Sequence, residues 1–82
     1  MTYKILSSKE FEKVFRKLSS EIQLRIKNKF LEVAKKPERY KHMHPPLEDY
    51  CRIRIGKLRV IFSYNIEKKI LYLEQIIFGH KY

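Results

Sequence analysis

Eighty-two residues make room for one small domain, residues 1–82, and exclude a second. A hydrophobic fraction of 44% with 13% aromatics can build a core, while 34% charged residues keep the chain in water and argue against disorder. Nineteen Lys and Arg against nine Asp and Glu leave +10, a self-repulsion that calls for a polyanion or an acidic partner. No apolar run nears the roughly 20 residues that cross a bilayer and the opening residues lack a signal peptide's hydrophobic stretch, so the expected location is cytoplasmic. The single cysteine, Cys51, excludes an internal disulfide and a thiolate zinc cluster.

Residues 2–6 are rich in strand formers and run into Ser7 and Ser8, where Ser7 with Glu10 has capping-box spacing. Phe11, Val14, Phe15 and Leu18 then recur at helical spacing, which predicts a first helix to about Leu18. Ser20 with Gln23 offers a second capping box before Ile22, Ile26, Phe30 and Val33 resume the stripe. This second helix should stop near Lys36, because Pro37 disfavours helical geometry at the residue before it. So short a link predicts an antiparallel helix hairpin whose apolar stripes must cover a surface made by the rest of the chain.

Residues 37–49 have no period and hold all three prolines, which marks a long loop. Beyond it the period becomes two. Cys51, Ile53 and Ile55 alternate with Tyr50, Arg52 and Arg54; Gly56-Lys57 supplies a tight turn; and Leu58, Val60, Phe62 and Tyr64 continue the pattern in a second strand. Residues 65–69 turn, and the apolar segment 70–78 is expected to be a central strand. The fold class is therefore α+β: an N-terminal strand, a two-helix hairpin and a three-strand antiparallel meander, sharing one four-stranded sheet.

A two-residue turn at Gly56-Lys57 sets Ile55 opposite Leu58, Ile53 opposite Val60 and Cys51 opposite Phe62, one wholly apolar face for the helices. The same register sets Arg54 opposite Arg59, Arg52 beside Ile61 and Tyr50 beside Ser63 on the other face. Like charges directly opposite each other are destabilising. Residues 50–64 hold Arg52, Arg54, Lys57 and Arg59 and no acid, and such a cluster suits phosphate, which the planar guanidinium fork matches. The plainer alternative is a solvated sheet face partly paired to Glu48, Asp49 or Glu74. At the end of the last strand, His80 titrates near neutrality, Lys81 is a phosphate-binding cation and Tyr82 offers a ring for stacking, a set suited to RNA chemistry. His42 and His44 sit in a proline-rich loop without a third ligand and are read as surface residues, and Cys51 as a buried small hydrophobe.

Taken together, the order β-α-α-β-β-β, the run L-E-D-Y-C-R-I-R-I-G-K-L-R-V-I-F-S-Y over residues 47–64 and the ending G-H-K-Y resemble the RelE/ParE superfamily of small type II toxins, most nearly the RelE branch. The likeness covers nearly the whole chain and implies a four-stranded antiparallel sheet with the helix hairpin on one face. It implies a ribosome-dependent mRNA endoribonuclease that works without a cofactor or metal, cutting in the A site by attack of a ribose 2'-OH on the adjacent phosphate. By position, Arg52 and Arg54 fall where well-known members have lysines with general-base and phosphate-binding roles. Arg59 falls on the arginine that stabilises the transition state, Lys81 on a leaving-group arginine, and Tyr82 on a tyrosine that stacks on mRNA.

Arginine stays protonated, so Arg52 makes a poor base and His80 or the surroundings of the leaving nucleotide would have to handle the proton. Lys57, Arg52, Arg54 and Arg59 together would bind the RNA. The implied partners are an acidic, RelB-like antitoxin that wraps the toxin, the ribosome and mRNA, with no membrane. Two other readings are a ParE-like toxin that inhibits DNA gyrase and a non-catalytic RNA- or ribosome-binding module.

Overall fold

The structure, a computed structural model, describes residues 2–40 and 42–78. Strand β1 (Lys4–Ser7) leads into helix α1 (Lys9–Phe15) and helix α2 (Ser20–Val33), and a 3-10 turn over Pro37–Arg39 opens the long loop. Strands β2 (Cys51–Ile55), β3 (Leu58–Asn65) and β4 (Ile70–Phe78) complete the sheet in the order β1-β4-β3-β2. The last strand is central, as its apolar run predicts. The sheet is mixed and not wholly antiparallel: β2, β3 and β4 form the expected meander, but β1 joins β4 in parallel, with Lys4 beside Ile70 and Ser7 beside Leu73. The connection permits this direction, because the two helices and the β2–β3 hairpin intervene before the chain returns to the strand that β1 joins, far more than a tight turn supplies.

Both helix starts fall one residue away from the capping boxes read in the sequence. Ser8 caps α1, its Oγ accepting from the Phe11 N–H at 3.0 Å, while Ser7 Oγ donates to the Glu12 carboxylate. Ser19 caps α2 by accepting from the Ile22 N–H at 3.3 Å, and Gln23 instead donates its amide to the Phe15 carbonyl at 2.7 Å, tying α2 to the end of α1. The helices also end earlier than their apolar spacing suggests, at Phe15 and Val33. The Leu18 N–H bonds the Phe15 carbonyl and the Lys36 N–H bonds the Val33 carbonyl, so each last turn tightens where the chain must leave for the next element.

The hairpin register is the one the turn dictates: Ile55 faces Leu58, Arg54 faces Arg59, Ile53 faces Val60, Arg52 faces Ile61 and Cys51 faces Phe62. Gly56 has φ 60°, the positive value needed at the first central position of a type II′ turn. The inner face of the sheet packs beneath α2, where Phe30 meets Phe62 edge to face at 5.4 Å and Ile26, Phe30 and Val33 are buried. Phe62, Val60, Leu71 and Cys51 are fully enclosed beneath the helices. No buried charged side chain occurs among the described residues, so the charges lie on the surface.

One irregularity shapes the outer face. Between Ile61 and Phe62 the β3–β4 register shifts: Ile61 faces Gln75 but Phe62 faces Leu73, leaving Glu74 as an extra residue in β4. This β-bulge lets Leu73 and Ile76, three residues apart, both reach the core. It also leaves two consecutive polar residues, Glu74 and Gln75, off the core side. Ser8 Oγ fastens the bulge by donating to the Glu74 carbonyl at 2.6 Å, and the Ser8 N–H bonds the Leu73 carbonyl at 2.9 Å.

Candidate nucleic-acid interface

Arg52 and Arg54 alternate with buried Cys51, Ile53 and Ile55 along β2, so both are exposed on the face away from the helices. Arg59 is half-buried directly across from Arg54 and is flanked on its other side by Ile77 of β4. In a two-residue hairpin the pair flanking the turn exchanges both backbone hydrogen bonds. Arg54–Arg59, one step further, is therefore a non-hydrogen-bonded pair, the kind that brings side chains closest. Lys57 is exposed in the turn itself.

Among the described residues the one ion pair within 4.0 Å is Lys29–Glu32 at 3.4 Å, on the surface of α2. Arg52, Arg54 and Arg59 therefore have no carboxylate partner within that distance among the described residues. Glu74, the nearest acid by register, is held elsewhere: its Oε2 accepts from Ser63 Oγ at 2.7 Å. The structure brings the three arginines of the second and third strands together. Of the other residues singled out in the sequence, His80, Lys81 and Tyr82 lie outside the described residues. Strand β4, which leads towards them, ends with Ile77 beside Arg59 and Phe78 beside Leu58.

Three further features of this surface have no local signature in the sequence. Arg25 of α2 lines a pocket together with Arg54 and Ile55, so positive charge continues around the β2 edge onto the helix, where the Lys29–Glu32 ion pair borders the same pocket. Arg25 reaches the hairpin turn, where its Nη1 lies 3.4 Å from the position a Cβ would take on Gly56. The long loop folds over the outer face, with the Met43 N–H bonding the Tyr50 carbonyl at 2.8 Å and the Tyr50 N–H bonding the Leu47 carbonyl at 3.0 Å. Met43, Leu47, Tyr50, Ile61 and Ile77 thereby wall a pocket of about 300 Å³, which Glu74 and Gln75 also line. Arg52 lines a neighbouring pocket with His42 and His44 that shares the Met43 and Leu47 walls.

His42 is a structural pin of this loop. Its Nδ1 lies 2.8 Å from the Glu48 carbonyl, to which it donates, and its Nε2 lies 3.1 Å from the Tyr64 hydroxyl, from which it accepts. Cys51 Sγ lies 3.8 Å from the same Nδ1, but that nitrogen already carries a proton and cannot take the thiol's. Burial, moreover, pushes the Cys51 thiol up, away from the thiolate a nucleophile needs. Cys51 is thus the enclosed small side chain that its alternation with Ile53 and Ile55 indicates. Among the described residues no group of three or more His, Cys, Asp or Glu is arranged to hold a metal ion.

A sequence profile for the ParE toxin of the parDE type II toxin–antitoxin system matches residues 5–77, nearly the whole chain. The chain belongs to the ParE toxin family of type II toxin–antitoxin systems. The fold of this toxin is that of solved RelE toxins. It superposes on a chain of the RelBE2 toxin–antitoxin complex from Mycobacterium tuberculosis with a TM-score of 0.85, at 15% identity, over 95% of this chain and 99% of that one. The isolated E. coli RelE toxin gives a TM-score of 0.81 at 23% identity, over 98% and 87%. The archaeal RelE–RelB complex from Pyrococcus horikoshii gives 0.78 at 21% over both full lengths. No functionally curated protein matches the sequence. Among the described residues no helix of the toxin is long and apolar enough to cross a membrane.

Proposed function

We propose that this toxin is an mRNA endoribonuclease that acts on mRNA in the ribosomal A site and so stops translation in the cytoplasm. The supporting observation is the arginine row: Arg52, Arg54 and Arg59 share the outer face of β2 and β3, with no acid within ion-pairing distance among the described residues. Holding guanidinium groups opposite one another costs stability, and a bound phosphate offsets that cost. In the reaction a ribose 2'-oxygen forms a bond to the adjacent phosphorus while the 5'-oxygen leaves. Fixed cations around the pentacoordinate phosphorane lower the barrier by electrostatic stabilisation. Arg59, half-buried between Arg54 and Ile77, is the least exposed of the three and is assigned to the developing charge; Arg52, Arg54 and Lys57 hold the strand. Arginine remains protonated, so the proton on the 2'-oxygen is assigned to His80, with Lys81 at the leaving oxygen and Tyr82 stacking on a base.

The partner is proposed to be an acidic, RelB-like antitoxin. Solved relatives include RelE–RelB complexes, and this toxin has an apolar groove of about 310 Å³ between β1, α1 and α2, lined by Ile5, Phe11, Phe15, Leu31 and Leu73. An apolar antitoxin segment in that groove, with acidic residues over the arginine row, would mask both surfaces.

Primer extension on mRNA translated in vitro tests the assignment. Added toxin should produce cuts at A-site codons, and Arg59→Ala should abolish them while the far-UV circular dichroism stays unchanged. The family match itself favours a second reading, inhibition of DNA gyrase, which predicts intact mRNA and loss of gyrase supercoiling activity. Ribosome or RNA binding without cuts would leave a non-catalytic binding module.

A further inference from the structure

The arginine row explains how a backbone is held but not which nucleotide is chosen. We propose that the pocket between the long loop and the outer face of β3 and β4 holds one unstacked base of the substrate strand, and that Glu74 with Gln75 selects guanine there. The inference rests on the endoribonuclease reading, because it presupposes a strand lying along the arginines.

Continuity places the base. Ile61 forms part of the pocket and is paired with Arg52 on one side and Gln75 on the other; Ile77 forms another part and is paired with Arg59. A nucleotide whose phosphate sits on the row therefore has this cavity within reach. Its 300 Å³ is at the lower end of small-ligand pockets, about 300–1,000 Å³, and suits one ring system. The lining is chemically wrong for phosphate, since Glu10 and Glu74 both contribute to it, and right for a base, with aliphatic walls and the exposed ring of Tyr50 for stacking.

The bulge supplies the selectivity. A regular strand would send Glu74 and Gln75 to opposite faces, whereas the register shift lets both line the same pocket. Ser63 holds one Glu74 oxygen at 2.7 Å and so fixes the carboxylate, leaving its other acceptor sites to a ligand. A carboxylate only accepts. Guanine alone among the four bases offers two adjacent donors on its Watson–Crick edge, N1–H and the N2 amine, and the Gln75 amide can donate to the neighbouring O6. Adenine and cytosine place a ring-nitrogen acceptor beside their amine, and uracil flanks its single N–H with carbonyls, so each sets an acceptor against the carboxylate.

The test is fluorescence anisotropy of labelled heptamers of uridine with one central guanosine, adenosine, cytidine, uridine or inosine, at low salt, with the full-length protein. The wild type should bind the guanosine strand about tenfold more tightly than the adenosine strand, and inosine, which lacks the 2-amine, should lose most of that advantage. Glu74→Gln, which keeps an oxygen for Ser63, should bring the five strands to within about twofold of one another. Arg59→Ala should weaken all five alike and leave their order intact. Equal binding of guanosine and inosine strands by the wild type overturns the guanine site whether or not the variant folds, and leaves the phosphate row standing if Arg59→Ala still weakens binding. Binding that is indifferent to Arg59→Ala overturns the endoribonuclease reading itself, and the base site with it.

Discussion

The facing pair Arg54–Arg59 should make the toxin less stable than its own fold allows, and removing one charge should show it. Taking roughly 6 Å between the guanidinium charges and a water-like dielectric, the repulsion is about 0.7 kcal/mol before screening. At about 20 mM salt most of it survives, roughly 0.5 kcal/mol, and at 1 M, where the Debye length falls to about 3 Å, about 0.1 kcal/mol remains. Arg54→Gln should therefore raise the melting temperature by about 2–4 °C at low salt, since 1 kcal/mol moves a domain of this size by about 4–8 °C. In high salt the gain should almost vanish. Arg54→Glu turns repulsion into attraction and should gain about twice as much at low salt. Lys35→Gln, exposed beyond the end of α2, lowers the net charge equally without touching the pair and sets the baseline. Thermal unfolding followed by circular dichroism at both salt concentrations gives all the numbers. If Arg54→Gln melts no higher than Lys35→Gln, or gains as much in 1 M salt as at low salt, the two guanidinium groups do not oppose each other and the reason for seeking an anionic ligand here is lost. On the proposed function the same stabilised variants should also cut mRNA less, the ordinary exchange between stability and a charged site.

Other expectations follow from the supporting structure. Ser8→Ala removes both the cap of α1 and the tie to the bulge carbonyl, and urea unfolding should show a loss of about 1–2 kcal/mol, against a few tenths for Ser7→Ala. Phe62→Ala opens the core between Phe30 and Tyr40 and should cost about 3–5 kcal/mol, enough to leave much of the protein unfolded at 37 °C by circular dichroism. Burial raises both the Cys51 thiol and the Tyr64 phenol, so the unfolded chain gives up these protons first. Stability should hold below pH 9.0, the ordinary thiol value, and decline as the pH rises above it, read as a falling urea midpoint. Native Cys51 should also react with a thiol reagent only as fast as the protein opens.

The hairpin was legible because one residue fixes it: once Gly56 is seen to need positive φ, period-two alternation decides which arginines meet. The central place of β4 followed from its length and apolarity. The bulge left a trace, since Leu71 and Leu73 keep step while Ile76 comes three residues later, but a nearly continuous apolar run hides that slip. The parallel seating of β1 has no local signature, because it depends on which remote strand offers a free edge. Met43, Leu47 and Tyr50 sit in a stretch without period, and Arg25 joins the basic surface only through where α2 lies. The cap positions missed by one residue because adjacent serines are equally good acceptors, and the choice falls to Ser8, which can also reach Glu74.

Seating β1 beside β4 has a consequence for synthesis. Strand β1 can find its neighbour only after β4 has been made, and Ser8 is fastened to a carbonyl 66 residues further on. A nascent chain that has not yet exposed Ile70 to Phe78 to solvent has an unclosed sheet and no support behind β3. The arginine row therefore becomes rigid only after β4 has emerged and settled between β1 and β3, and a toxin of this topology cannot close its sheet while that strand is still missing.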